Sequence, residues 1–216
     1  MISTSTKNDV EVIDTVVSQA APSKQRFNGK RPFAELLADR AGLLDDPRYP
    51  EQVAAIAKAM VHAFRNGGKV LWFGNGGSAA DAQHLAAEFS GRFLRERGAL
   101  PSEALTVNSS AITAIGNDFG YENVFSRLIE AFARPSDVAV GITTSGSSKN
   151  VVLGLEAAKR IGAVTVAFTG NGGGSVAKIA DHVLLGPDGY SAIIQEVHIT
   201  FGHIICDLVE QELLFA

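Results

Sequence analysis

From Lys69 onward the chain alternates short apolar runs with stretches of helical pattern, and this alternation limits the folds open to it more than any other feature. Five apolar runs predict strands, at 70–73, 104–107, 137–143, 163–170 and 182–186. Helical patterns separate these runs, and the last one reaches from about Tyr190 to Leu214. Because strands that alternate with helices form right-handed βαβ units, we predict an α/β fold with a five-stranded parallel sheet flanked by helices on both faces.

The segment before this alternation divides into two parts. Residues 1–29 are polar and rich in Ser, Thr, Lys and Gln, and their apolar residues do not recur with a helical or strand period. This pattern predicts a flexible N-terminal arm. Two helices are predicted next, at 31–44 and 50–68, the second with an apolar stripe and a terminal Gly pair. We therefore expect a single domain over 30–216, in which N-terminal helices (30–68) precede an α/β core (69–216).

Composition argues against several kinds of partner. The formal net charge is −4, and the sequence has no basic stripe of the kind that binds nucleic acid. The N-terminus lacks the pattern of a secretory signal, and no apolar run approaches the ~20 residues that span a bilayer. The single cysteine, Cys206, excludes an internal disulfide and fits a reducing compartment. We predict a cytoplasmic protein without a nucleic-acid or membrane partner.

Small and polar residues collect where four of the predicted strands end, at 74–78, 108–110, 143–148 and 169–174. Ligands of open parallel sheets bind beyond the carboxyl ends of the strands, so we expect the active site there. The first of these turns, GNGGS, offers free backbone N–H groups and a helix N-terminus. It has neither the G-x-G-x-x-G spacing nor a P-loop lysine, and we therefore expect no nucleotide cofactor.

The turn after the third strand is rich in hydroxyl groups, contributed by Thr143, Thr144, Ser145, Ser147 and Ser148. Several hydroxyls together with the N–H groups of a helix start can surround a phosphate dianion without an arginine. A single Ser or Thr here would serve as an ordinary helix cap, but five in six positions exceed what capping needs. The turn predicts a phosphate site, assisted by Ser78 of the first turn.

Two predicted helices carry candidate catalytic groups. His84 and Glu88 are spaced i, i+4 and share one face of the helix after the first strand. The last helix carries four further polar side chains that are candidates, namely Gln195, Glu196, His198 and His203. A carboxylate and an imidazole can perform the proton transfers of aldose–ketose isomerisation near neutral pH, and the same groups can instead bind a divalent metal such as zinc. A solvated or a packing role for each of these residues remains open at this point.

Five segments in this order identify a resemblance: GNGGSAADAQHLAAEFSGRF (74–93), AIGNDFG (114–120), ITTSGSSKN (142–150), TGNGGG (169–174) and QEVHITFGHIICDLVE (195–210). Together they resemble the phosphoheptose isomerases of the sugar-isomerase (SIS) superfamily, over about Gly67 to the C-terminus. The resemblance implies a three-layer, flavodoxin-like SIS domain with additional N-terminal helices. It also implies isomerisation of sedoheptulose 7-phosphate to D-glycero-D-manno-heptose 7-phosphate, in a homotetramer with active sites at subunit interfaces.

Residue roles follow from the resemblance, motif by motif. Glu88 corresponds to the catalytic base of the family and His203 to its acid. The substrate-binding positions carried over are Asn75, Gly76, Gly77, Ser78, Glu88, Asn117, Asp118, Thr143, Thr144, Ser145, Ser148 and Gln195. The zinc ligands described for some members correspond to His84, Glu88, Gln195 and His203, which implies one Zn²⁺ per subunit.

The sequence departs from the family at one site near these residues. Family members often carry Asp-Arg before the Ile-Gln-Glu step, whereas this chain has Ala192 and Ile193. A related sugar phosphate is therefore an alternative substrate. Some relatives of the superfamily are non-catalytic regulators, among them a replication-initiator-associating protein, but these lack the glutamate and the terminal histidine. The presence of both Glu88 and His203 favours an enzyme.

Overall fold

The computed structural model describes residues 29–215, so the predicted arm at 1–29 lies almost entirely outside the described residues. A five-stranded sheet forms the centre of the fold, with strands β1 (Val70–Gly74), β2 (Ser102–Ala104), β3 (Val138–Thr143), β4 (Val164–Thr169) and β5 (His182–Leu185). All neighbouring strands are parallel, in the order β2-β1-β3-β4-β5. The predicted parallel α/β sheet is confirmed.

Eight α-helices surround the sheet in the described part of the chain: α1 (Phe33–Ala38), α2 (Tyr49–Arg65), α3 (Gly77–Ser90), α4 (Ser109–Phe119), α5 (Val124–Phe132), α6 (Lys149–Ile161), α7 (Val176–Ile179) and α8 (Ser191–Phe215). A 3₁₀ turn at Tyr121–Asn123 joins α4 to α5. The helix predicted at 31–44 is shorter than expected. After Ala38 the chain continues in turns through Gly42, whose φ of 71° is incompatible with a continued right-handed helix.

The two faces of the sheet are buried by different helices. Successive strand residues point to opposite faces, so Val70 and Trp72 pack under α2, α3 and α8. Leu71 and Phe73 pack on the other face, under α5, α6 and α7. Every residue of β1 and β3 is buried, which explains why these strands read as continuous apolar runs. The result is the predicted three-layer architecture.

The predicted position of the second strand, 104–107, is wrong. The strand is Ser102–Ala104, and the last pairing bond after it is from Leu105 N to Trp72 O, 2.8 Å. As an edge strand, β2 has one neighbour and little burial, so apolar residues do not mark it. Its first residue is instead fixed by a polar contact, because the indole of Trp72 donates to the Ser102 hydroxyl at 3.0 Å.

The longest helix, α8, has 25 residues and is apolar enough to cross a membrane by length and composition alone. Half of its most apolar window is buried inside the fold, against α2 and α3. A core helix of a globular domain passes the same test. The length and composition of α8 are therefore only weak evidence for a membrane span.

Candidate active site

Helices α3 and α8 lie side by side and run in the same direction, which brings their side chains together at successive levels. Near the start of α3, Gly77 is so close to Gln195 that a Cβ atom there would lie 2.5 Å from the amide nitrogen. Two turns further on, a Cβ on Gly202 would lie 2.7 Å from the side chain of Leu85. The absence of a side chain at these two glycines is what permits the close approach of the helices.

Between these helices His84, Glu88 and His203 form what we call the imidazole–carboxylate cluster. The Nε2 atoms of His203 and His84 are 3.0 Å apart, and His84 Nε2 is 3.2 Å from Glu88 Oε1. One potential ligand atom from each residue lies within 4.8 Å of the other two. The structure thus brings together the residues predicted as base and acid, from positions more than a hundred residues apart in sequence.

The electrostatic environment of the cluster favours a neutral imidazole. Burial lowers the pKa of His203 below its ordinary value, and the adjacent His84 lowers it further, whereas the Glu88 carboxylate raises it. The two imidazole nitrogens face each other, so one of them donates the shared proton and the other accepts it. A neutral imidazole has one N–H donor and one acceptor nitrogen, so His203 can hydrogen-bond a substrate oxygen. It acts as an acid from its protonated form, which the adjacent Glu88 carboxylate favours.

Two imidazole nitrogens and a carboxylate oxygen are also a donor set that suits zinc. The residues of the cluster therefore fit a bound Zn²⁺. The fourth predicted ligand, Gln195, precedes His203 by eight residues on α8, about 12 Å at a rise of 1.5 Å per residue. Its carboxamide lies against Gly77, at the other end of the helix pair. Its role as a ligand stays a prediction.

The first turn depends on glycine geometry and on two amides. Gly76 has a φ of 58°, and a Cβ on Gly74 would lie 2.8 Å from Ile142 O, so neither position accepts a side chain. Asn75 exchanges two hydrogen bonds of 2.8 Å with Asn150, at the start of α6. The Tyr121 hydroxyl also donates to the Asn75 amide oxygen, at 3.2 Å. These contacts fix the Asn75 carboxamide at the carboxyl edge of the sheet.

The hydroxyl turn, residues 143–148, is internally hydrogen-bonded. The buried Thr143 hydroxyl lies 2.9 Å from that of Ser148 and 3.4 Å from that of Ser145. The Thr144 hydroxyl lies 3.0 Å from that of Ser191, the first residue of α8. Hydroxyls bonded to one another are already oriented and can turn their protons to an anion without moving the backbone.

A second glycine turn, at 169–174, packs against the hydroxyl turn. Gly146 has a φ of 66°, and its carbonyl accepts a bond of 3.0 Å from Val176 N. A Cβ at this position would lie 2.2 Å from Gly173 O. The turns at 143–148 and 169–174 are therefore in direct contact, as their shared edge of the sheet leads one to expect.

Asn117 and Asp118 lie on an exposed surface of the chain. They are near the end of α4, a helix without a buried residue, and the Asn117 amide donates to the Asp118 carboxylate at 2.8 Å. Within residues 29–215 no other hydrogen bond or ion pair of these two side chains is present. Among the described residues neither side chain is hydrogen-bonded to Glu88 or His203, and their substrate role stays a prediction.

Several residues near the site were not predicted as functional. Tyr121, Asn150 and Ser191 each bond a predicted site residue, but only Asn150 stands inside a recognised motif, ITTSGSSKN. Asp81 lies one turn before His84, where burial raises the pKa of its carboxyl to about 6. Its Oδ2 atom is buried without a hydrogen-bond partner among the described residues. No sequence signal distinguishes it from a solvated helix residue.

His198, a sequence candidate, has a structural place. It is completely buried, and its Nε2 atom lies 3.0 Å from the Thr169 carbonyl at the end of β4. Burial lowers the pKa of this imidazole to about 4, so the ring is neutral at physiological pH. His198 therefore attaches α8 to the sheet and takes no part in the cluster.

Comparison with known proteins assigns this chain and its fold to a family. Residues 47–170 match the SIS domain. The phosphoheptose isomerase of Aquifex aeolicus is 53% identical over 163 residues, which cover 76% of this chain and 85% of the relative. That of Solidesulfovibrio magneticus is 47% identical over 210 residues, which cover 97% and 94%. This chain belongs to the phosphoheptose isomerase family.

Phosphoheptose isomerases of known structure share the fold as well. That of Neisseria gonorrhoeae superposes with a TM-score of 0.74 at 37% identity, covering 92% of this chain and 99% of its own. The SIS match contains the glycine turn, α3 and the hydroxyl turn but ends before α8. The alignment with the Solidesulfovibrio magneticus protein spans nearly the whole chain and so includes the helix that supplies His203.

Proposed function

We propose that this chain is an aldose–ketose isomerase that converts sedoheptulose 7-phosphate to D-glycero-D-manno-heptose 7-phosphate. One observation carries the proposal: the Glu88 carboxylate and the His203 imidazole meet in one cluster, in a fold whose hydroxyl turn suits a phosphate. The sugar named in the phosphoheptose isomerase relatives agrees with this chemistry.

The reaction moves one proton between carbons and one between oxygens, and the two groups divide this work. Glu88 takes a proton from C1 of the ketose, while His203, in its protonated form, gives a proton to the C2 oxygen, which leaves an enediol. Glu88 then returns its proton to C2, and His203 recovers one from the C1 hydroxyl, which yields the aldose. Each group ends in its starting state, so the cycle balances.

We further propose that the cluster binds Zn²⁺ through His84, Glu88 and His203. A bound ion would reduce the freedom of Glu88 and His203 to act as base and acid. It would instead take over the polarisation of the substrate oxygens and stabilise their negative charge. The cluster supplies two nitrogens and one oxygen within 4.8 Å, which supports this donor set. Gln195 of the same chain lies about 12 Å before His203 along α8, which is too far for it to share the ion readily.

The same spacing supports active sites shared between copies of the chain in a homotetramer. Thr144 of the hydroxyl turn contacts Ser191, which precedes His203 by twelve residues, or about 18 Å along α8. From C1 to the phosphorus a heptose 7-phosphate has eight bonds of about 1.5 Å each, a contour of about 12 Å. We infer that one copy grips the phosphate while a second copy supplies Glu88 and His203. The outward-facing α4, with Asn117 and Asp118, would then also meet a neighbour.

The decisive experiment for the activity is turnover of sedoheptulose 7-phosphate by the purified protein and by Glu88→Gln. We expect wild type to form the aldoheptose phosphate and the variant to lose roughly 10²- to 10⁴-fold in kcat, because the amide cannot take a proton. Glu51→Gln, on the exposed start of α2, serves as the matched control. Binding of the sugar phosphate without turnover by wild type would instead indicate a regulator, and turnover of another ketose phosphate would indicate a related substrate.

A complementation experiment tests the shared site. Ser145→Asp adds a negative charge to the hydroxyl turn, and Glu88→Gln removes the base, so each variant alone should be inactive. Co-expression lets intact halves meet, and random assembly predicts about one quarter of wild-type activity. Activity no higher than that of the separate variants would mean that each copy carries its own complete site. Light scattering checks the tetramer directly.

We also propose that the enzyme works in the cytoplasm without a membrane or nucleic-acid partner. The net charge of −4 and the single buried cysteine support this location. The burial of α8 in the core supports it as well. Fractionation of cells that express the tagged chain would test it, and recovery in the membrane fraction would contradict it.

A further inference from the structure

Behind the cluster, the loop at 91–98 is held by a buried carboxylate that the proposed reaction does not use. Glu210 of α8 is completely buried. Its oxygens accept hydrogen bonds from the backbone N–H groups of Phe93, Leu94 and Arg95, at 2.9, 3.0 and 3.0 Å. One carboxylate thereby fixes three consecutive residues of the loop to the last turns of α8.

The charge of Glu210 is balanced by Arg97, whose side chain is only 4% exposed. The Arg97 Nε atom donates to Glu210 at 2.9 Å, and its two terminal nitrogens donate to carbonyl oxygens at the end of α3. One of these acceptors is the carbonyl of Glu88 itself, at 2.7 Å; another is that of Phe89, at 2.8 Å. The guanidinium therefore closes the open end of α3 at the residue proposed as the base.

The loop in turn supports the proposed acid. Phe93 stacks on the His203 ring, with centroids 5.4 Å apart and planes inclined by 21°. The Phe93 N–H is bound by Glu210, which lies two turns after His203 on the same helix. The Phe93 ring and the His203 ring are therefore both held by α8. This shared attachment sets the angle of the His203 imidazole relative to His84.

We propose that Arg97, Glu210 and Phe93 are positioning residues that fix Glu88 and His203 in their reactive geometry. This inference rests on the proposed function for the two residues it positions. A buried ion pair contributes little net stability, because removing both charges from water costs about as much as their attraction returns. This pair instead fixes the position of its neighbours. Arg97 bonds the backbone carbonyl of Glu88, and Glu210 bonds the backbone N–H of Phe93, the residue that stacks on His203.

The first test separates positioning from folding by replacing Phe93. Phe93→Leu keeps an apolar side chain but removes the flat ring, and we expect kcat to fall roughly 10- to 100-fold, the usual cost of a small misplacement, with KM within about twofold. Phe93→Tyr retains the ring and should restore kcat to within about threefold of wild type. The proposal would be overturned if Phe93→Leu raised KM at unchanged kcat. It would also be overturned if the leucine variant were as active as wild type.

A spectroscopic readout follows His203 without turnover. A ring stacked on the imidazole shields its carbon-bound protons, so the His203 signals should move downfield in Phe93→Leu and return in Phe93→Tyr. Unmoved signals in the leucine variant would contradict the stacking role. Because this measurement needs no substrate, failure of the isomerase assay and failure of the positioning proposal remain distinguishable.

The second test concerns the guanidinium. Arg97→Lys preserves the charge but cannot reach Glu210 and the α3 carbonyls together. We expect kcat to fall at least tenfold at unchanged KM in protein that melts cooperatively, whereas Arg160→Lys, in an exposed pair with Glu130, should retain full activity. Loss of kcat only in proportion to a lost folded fraction would reduce Arg97 to a purely structural role and overturn the proposal.

Discussion

The two ends of the α3–α8 helix pair carry different kinds of groups, suited to the two different tasks that we propose for them. At the hydroxyl turn, the binding groups are neutral, adjacent in sequence and bonded to each other, as between Thr143 and Ser148. At the cluster, the groups are titratable and meet only because two helices distant in sequence pack in parallel, as His84 and His203 do. Under the proposed function, anion binding would depend on local backbone geometry, whereas proton transfer would depend on tertiary packing.

The largest effect should come from the cluster, where we propose that the imidazole of His203 is the acid. His203→Asn keeps a polar side chain but cannot exchange a proton near neutral pH, so kcat should fall roughly 10²- to 10⁴-fold with little change in KM. Steady-state kinetics on sedoheptulose 7-phosphate measure both constants. His62→Asn, on the exposed face of α2, is the matched control and should behave as wild type. A large rise in KM at constant kcat would mean that His203 binds substrate, as the hydroxyl turn does, and would contradict its role as the acid.

The same helix carries a second imidazole whose work is structural, and pH separates the two. The pKa of His198 is lowered by burial to about 4, below the unfolded value of 6.5. The fold therefore favours the neutral ring, and this contribution is present above pH 6.5 and is lost as the pH falls towards 4. From the shift of about 2.5 units, it amounts to roughly 3 kcal/mol.

Denaturant unfolding at pH 7 and pH 4.5 of wild type and His198→Gln measures this contribution. Glutamine can still donate to the Thr169 carbonyl but does not titrate, so the variant should lose roughly 2–3 kcal/mol less stability on acidification than wild type does. Carboxylates elsewhere cancel in this double difference. An equal loss in both proteins would mean that His198 titrates normally in the fold.

The same contrast explains what the sequence could and could not predict. Buried strands β1 and β3 were predictable because both of their faces are covered, whereas β2 was misassigned because an edge strand is defined by pairing rather than by apolar residues. The hydroxyl turn was predictable for a similar reason, since its groups are consecutive. Local patterns reveal what local geometry determines.

The cluster was only half predictable. The i, i+4 spacing places His84 and Glu88 on one face, but nothing in the spacing brings His203 to them. That meeting requires the parallel approach of α3 and α8, which depends on two positions without side chains, Gly77 and Gly202. The positioning residues Arg97 and Glu210 escaped prediction for the same reason, since a buried ion pair between a loop and a helix has no sequence period.

The smallest effect should come from the hydroxyl turn, because several neutral donors share the anion. Ser148→Ala removes one hydroxyl that is bonded to Thr143, and the loss of one hydrogen bond of about 1–1.5 kcal/mol should raise KM roughly 5- to 10-fold at nearly constant kcat. Ser136→Ala is a fitting control, because this exposed serine lies just before β3, at the end of the strand opposite to the turn. Inhibition by inorganic phosphate should weaken in parallel with KM, since the free anion uses the same donors. If kcat fell instead and phosphate inhibition were unchanged, the hydroxyl turn would contact the reacting end of the sugar, and the assignment of the two ends would have to be reversed.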